Sequence, residues 1–229
     1  MPFRLIEDEA QFKKWRWITA RVEKSPKDAR PESHRIFVDT IIPDESSLST
    51  RNGWQARRPW LEKLSVYDDF AALDAARVKE GATLGFLRPG SVSGLDVTPA
   101  DRPNWTDDER KKLTQLQEQG GLFEKSDAKS ITTLKKVPFD FHYRYTCNGA
   151  NYRHKIVDWE VGALYWNARR THGAKWQQAF RAKIEGELPT KDLIFLMGTI
   201  HRFPDQWLVV SLIYPPKQPP GQPHQGSLL

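Results

Sequence analysis

The sequence predicts an α+β fold, with an N-terminal β-rich unit and a C-terminal ββααββ unit. Three observations in the second half carry this. FDFHYRYTC (139–147) alternates: Phe139, Phe141, Tyr143 and Tyr145 fall on one face, and Asp140, His142, Arg144 and Thr146 on the other, as strand side chains do. Val161, Leu164, Tyr165 and Ala168 recur at the spacing of an amphipathic helix. DLIFLMGTIH (192–201) and WLVVSLIY (207–214) are nearly continuous apolar runs, which predicts central strands covered on both faces.

The remaining elements follow in chain order. WRWITARV (15–22) and HRIFVDTII (34–42) are rich in β-branched and aromatic residues and read as strands, separated by the polar loop EKSPKDARPES. Trp15 and Trp17 share one strand face and are expected in the core. Residues 56–64 and 66–80 have helical composition, and ATLGFL reads as a strand stopped by Arg88-Pro89-Gly90. Residues 99–135 are polar and read as a helical connector. Thr106 is its cap, followed by acidic residues that suit a helix N-terminus, and Gly120-Gly121 its end. Asn148-Gly149 is a hairpin turn, after which 152–157 return as the partner strand and Asp158 caps the next helix. Trp176, Ala179, Phe180 and Ile184 continue the helical period beyond Thr171-His172-Gly173. The expected organisation is an N-terminal unit over 1–98, the connector over 99–135, the C-terminal unit over 136–215 and a proline-rich tail over 216–229.

Composition narrows the function classes. The 229 residues carry 35 Lys and Arg against 29 Asp and Glu, a net charge of +6. That charge is concentrated: residues 129–183 hold eleven cations and three anions, so this segment is +8 and the rest is −2. A basic region on a near-neutral body is the electrostatic footprint of a polyanion binder. A single cysteine, Cys147, excludes an internal disulfide and a Cys-rich zinc module. No apolar run reaches the ~18–20 residues of a membrane span and MPFRLIEDEA has no signal-peptide core, so a cytoplasmic protein without membrane contact is expected. Phosphate-binding loops, dinucleotide fingerprints, nucleophile elbows and His-Glu-x-x-His pairs are absent from the sequence.

The candidate nucleic-acid-binding residues are Arg30, Arg35, Arg57, Arg58, Lys135, Lys136, Arg144, Arg153, Lys155, Arg169, Arg170 and Lys175. Arginine forks bind phosphate in two-pronged hydrogen bonds, and interleaved tryptophans such as Trp54, Trp60 and Trp105 can stack on bases. Each feature has a plainer explanation: internal ion pairs for Arg30 and Arg35 beside Asp28, Glu32 and Asp39, and core filling for the tryptophans. The alternative chemistry is a Mg²⁺-dependent nuclease using Asp140, Asp158 and Glu160, since Mg²⁺ is held by one or two carboxylates plus water. Against it, Asp158 and Glu160 suit a helix cap and its dipole. His142, Cys147, His154 and His201 lack the paired spacing of a zinc site, so no cofactor is expected.

KKVPFDFHYRYTC, KIVDWEVGALYW, DLIFLMGTIHRFPDQWLVVSLIYPPK and RPESHRIFVDTI resemble a scattered prokaryotic family of small hypothetical proteins. The resemblance carries no activity. Many of its members have further cysteines and a Gly-His in the hairpin, where this chain has only Cys147 and His154. A scattered distribution implies accessory genes of defence or mobile-element systems. The expected function is a non-catalytic subunit that binds DNA or RNA within a larger assembly with protein partners. A protein-interaction scaffold is the third possibility.

Overall fold

In the computed structural model the described residues are 14–37, 40–111 and 136–218. They fall into two compact units, one formed by Met1–Ser49 with Asp101–Pro138 and the other by Thr50–Ala100 with Phe139–Leu229. The chain is α+β, with helices and mixed sheets in the same protein.

The first unit contains two small antiparallel ladders. Strand β1 (Arg16–Thr19) pairs with β4 (Ile42–Ser47), and β2 (Val22–Lys24) with β3 (His34–Ile36). Trp17 is 52% exposed, which corrects its expected place in the core, and Trp15 stands outside the strand with a positive φ of 66°. The Thr106 cap forms: its hydroxyl accepts from the Glu109 amide, and Glu109 reaches back to the Thr106 amide, a reciprocal capping box. Gly120 and Gly121 lie outside the described residues.

The second unit is built on a seven-stranded mixed sheet. Its strands are β5 (Val66–Tyr67), β6 (Leu84–Leu87), β7 (Ser91–Pro99), β8 (Phe139–Cys147), β9 (Ala150–Ile156), β10 (Ile194–Ile200) and β11 (Phe203–Ile213). They lie in the order β5-β6-β10-β11-β9-β8-β7. The pairs β5–β6 and β11–β9 are parallel and the others antiparallel. Asn148 and Gly149, both at positive φ, make the tight turn between β8 and β9. Strands β6 and β7, which lie within the expected N-terminal unit over 1–98, join this sheet, and Thr50–Ala100 groups with Phe139–Leu229. SVSGLDVTP has weak strand composition, and its place is fixed by pairing with β8 rather than by its own apolar content.

Three helices pack on one face of the sheet: α1 (Phe70–Glu80), α2 (Trp159–His172) and α3 (Trp176–Arg181), the last running into a π-helical turn over Ala182–Glu187. Leu73 of α1 presses on Gly85, where a Cβ would lie 2.3 Å from its terminal methyl, so the glycine lets α1 sit close on β6. Phe70 packs on Tyr152, His154 and Trp207. Tyr165 of α2 meets Phe139 and Phe141, and Phe180 of α3 meets Phe141. Tyr143, Tyr145, Phe195, Met197 and Val209 are fully buried beneath. β10 and β11 are central in the sheet, as their apolar runs predict. One of their two faces is covered by the helices; on the other, Val210 of β11 is 37% and Leu84 of the neighbouring β6 40% exposed within the chain.

Candidate nucleic-acid interface

Alternation along β8 sends Phe139, Phe141, Tyr143 and Tyr145 toward the helices and Asp140, His142, Arg144 and Thr146 to the open face. Pairing then assembles neighbours around them. His142 lies opposite Asp96 of β7 and Lys155 of β9, and Arg144 lies opposite Gly94 and Arg153. The Asp96 carboxylate bridges Arg144 at 3.0 Å and Arg153 at 2.7 Å, and Lys155 pairs with Asp140 at 2.8 Å. The missing side chain at Gly94 makes room for Arg144, whose guanidinium would lie 2.5 Å from a Cβ there. The Arg153 hydrogen bond holds Asp96 below the usual carboxylate range. Burial, reinforced by Arg153, pushes His142 down, and its buried Nδ1 has no hydrogen-bond partner among the described residues. The ladder therefore sets three cations and a neutral imidazole against two carboxylates, both engaged.

The other predicted cations divide by partner. Arg30 is held by Asp28 at 2.6 Å, with Ser33 also donating to that carboxylate. Arg30 and Ser33 keep Asp28 well below its ordinary range. Arg35 pairs with Glu23 at 3.3 Å, and Lys136 pairs with Glu109 at 2.7 Å while lying over Trp105. Internal pairing accounts for these three, and the interleaved tryptophan at 105 serves it. Arg57 stacks on Trp54, and burial lowers its pKa. Arg58 donates to the carbonyls of Gly53 and Pro216. Both anchor the Thr50–Leu61 segment rather than project from it. Lys135 lies outside the described residues.

The last turn of α2 differs. Arg169 donates to the Gly173 carbonyl and Arg170 to the Asn167 side chain. Lys175 follows, and all three residues are exposed. Among the described residues no carboxylate pairs with any of them. Their charge complements the negative end of the α2 dipole and stays available to an external anion.

The three carboxylates of the Mg²⁺ alternative are not gathered into a metal site. Asp158 is 4% exposed, and its two oxygens accept from the amides of Glu160 and Leu212, tying the start of α2 to β11. Asp140 is paired with Lys155 on the open face. Among the described residues no group of three or more His, Cys, Asp or Glu side chains is placed to hold a metal ion. Cys147 is buried, and burial raises its pKa, the opposite of an activated thiol. No helix among the described residues is long and apolar enough to cross a membrane.

Residues 67–229, which contain the whole seven-stranded sheet but for its first residue, match the family model described as a domain of unknown function, DUF8757. The chain belongs to the DUF8757 family. Residues 1–63 match a second model, DUF8758, also described as a domain of unknown function. No curated protein and no solved structure matches the chain. The DUF8758 match runs past the unit boundary, because Thr50–Leu61 packs within the sheet unit: Trp54 is buried against Tyr214, and Arg58 bonds the Pro216 carbonyl.

Sequence reasoning missed Asp96, the residue that organises the open-face ladder. The signal was present: Leu95 and Val97 alternate with Asp96 and Thr98, a short period-two pattern inside a serine- and glycine-containing run. It also missed Arg181 and Glu185, whose side chains bond the carbonyl and amide of Leu95 on the edge strand β7.

Proposed function

We propose that this DUF8757 chain is a non-catalytic nucleic-acid-binding subunit of a cytoplasmic prokaryotic assembly, one that acts in defence or on mobile elements. The observation that carries the proposal is the cluster Arg169, Arg170 and Lys175: three exposed cations in the last turn of α2 and the turn that follows it, none with a carboxylate partner among the described residues. Cations outside ion pairs can neutralise phosphates without first breaking an internal bridge, and the counterions they release drive sequence-independent affinity. Arg144, Arg153 and Lys155 are weaker contributors, because Asp96 and Asp140 already hold them. The accessory-gene setting comes from the sequence resemblance alone.

The test is a salt titration of binding to DNA and RNA oligonucleotides by the intact chain. Affinity should fall steeply with salt. The triple variant Arg169→Glu, Arg170→Glu, Lys175→Glu should weaken binding to every sequence alike. It should also flatten the salt slope by roughly one for each phosphate that is no longer neutralised. Tight binding indifferent to both salt and these substitutions would refute the proposal.

A further inference from the structure

The open face of the sheet has two halves. On β6, β10 and β11 it presents Leu84, Phe86, Leu196, Leu208 and Val210, placed together by the pairs Leu196↔Phe86, Gly198↔Leu84 and Gly198↔Leu208. The side chains of Val210 and Leu84 flank Gly198, where a Cβ would lie 2.8 Å from the one and 3.0 Å from the other. Leu84 and Val210 are among the exposed large hydrophobic residues. On β9, β8 and β7 the same face presents the ladder of Arg144, Arg153 and Lys155 with Asp96 and Asp140. A contiguous apolar band rimmed by charge marks a protein interface.

We infer that this face is the interface between two copies of the chain. Charge decides among the occupants. A nucleic-acid surface presents charge of one sign, whereas here Arg144, Arg153 and Lys155 share ion pairs with the two carboxylates Asp96 and Asp140, so both signs are interspersed. A symmetric dimer requires a patch that complements itself, and interspersed charges of both signs do so, whereas a patch of one sign repels its own copy. The six strands from β6 to β7, about 4.8 Å apart and about 20 Å long, give a face of roughly 600 Å². That is of the order of the ~800 Å² each partner buries in a standard interface. On the β7 edge, Arg181 and Glu185 already occupy the Leu95 carbonyl and amide, which interrupts edge-to-edge pairing there. The interface lies on the opposite side of the sheet from α2, so dimerisation is separable from binding at Arg169, Arg170 and Lys175 and would withdraw only the weaker contributors Arg144, Arg153 and Lys155.

Sedimentation velocity on the full chain across a concentration series tests this. A mass of two copies is expected, and Val210→Lys and Leu84→Lys, each at an exposed position, should weaken self-association tenfold or more with the melting temperature kept. Cysteine cross-linking gives a second readout, since the single native Cys147 is buried. Val210→Cys should form a disulfide-linked dimer under mild oxidation, and Val78→Cys, 70% exposed on α1, should not. A monomer at every concentration overturns the inference, as does a dimer indifferent to both lysine variants. Loss of oligonucleotide binding by Val210→Lys in a monomeric protein would assign the face to nucleic acid instead.

Discussion

The two faces of the sheet unit are made by the same strands and differ in what satisfies them. On the helix-covered face, Val209, Met197, Phe195, Tyr143 and Tyr145 are fully buried, and both tyrosine hydroxyls have internal partners. The Tyr143 hydroxyl donates to the Ile184 carbonyl inside the π-helical turn, and Tyr145 bonds His154 Nδ1 at 2.9 Å. On the open face, ion pairs and exposed aliphatic residues lie side by side, and His142 Nδ1 is buried without a partner among the described residues. One face is closed by side chains from its own unit. The other leaves Leu84 and Val210 exposed beside its ion pairs.

Adjacent residues on β11 put the difference between the faces to its hardest test. Val209 is fully buried and Val210 is 37% exposed. Val209→Asp places an uncompensated carboxylate in the core and should cost several kcal/mol, enough to unfold a marginally stable domain. Val210→Asp should cost less than about 1 kcal/mol, as surface changes do. Equal melting temperatures for the two variants would mean that the faces are not distinct.

A smaller loss is expected at Asp158. Asn caps helices about as well as Asp, so the sequence alone predicts a silent Asp158→Asn change. The structure corrects this. Both carboxylate oxygens accept, one from Glu160 and one from the buried Leu212 amide, and Asn can offer only one acceptor oxygen. Asp158→Asn should therefore cost about 1–3 kcal/mol by leaving a buried donor unmatched. Chemical denaturation would measure it, and a silent substitution would show that the contact to β11 contributes nothing.

A further effect is a pH dependence. Burial pushes His154 down to about 4, beneath Phe70 and against Tyr145. Its folded pKa lies below the unfolded value near 6.5, so between these values the unfolded chain binds the extra proton. The contribution of neutral His154 is complete above about pH 6.5 and is lost as pH falls from there to about 4. His154→Gln should flatten the melting temperature across that window. A wild-type profile equally steep in the variant would place the titration elsewhere, with His142, also pushed down by burial, as the next group to test.

Much of this was legible in local pattern. The alternation in 139–147, the Asn-Gly turn, the Asp158 cap and the 3–4 spacing of Val161, Tyr165 and Ala168 each depend on neighbours within a few residues, so β8, its turn and α2 are specified by the chain locally. What those elements meet is settled only by long-range packing. Nothing local marks SVSGLDVTP as a partner of β8, or pairs Asp96 with Arg144 and Arg153 across two strands, because register is set by long-range pairing. The same limit governs the cations. A count along the chain gives +8 over residues 129–183 but cannot separate Arg144, neutralised by the distant carboxylate of Asp96, from Arg169, which has none among the described residues. Net charge is a property of composition, and available charge is a property of the fold, because a Coulomb partner is chosen by distance in space.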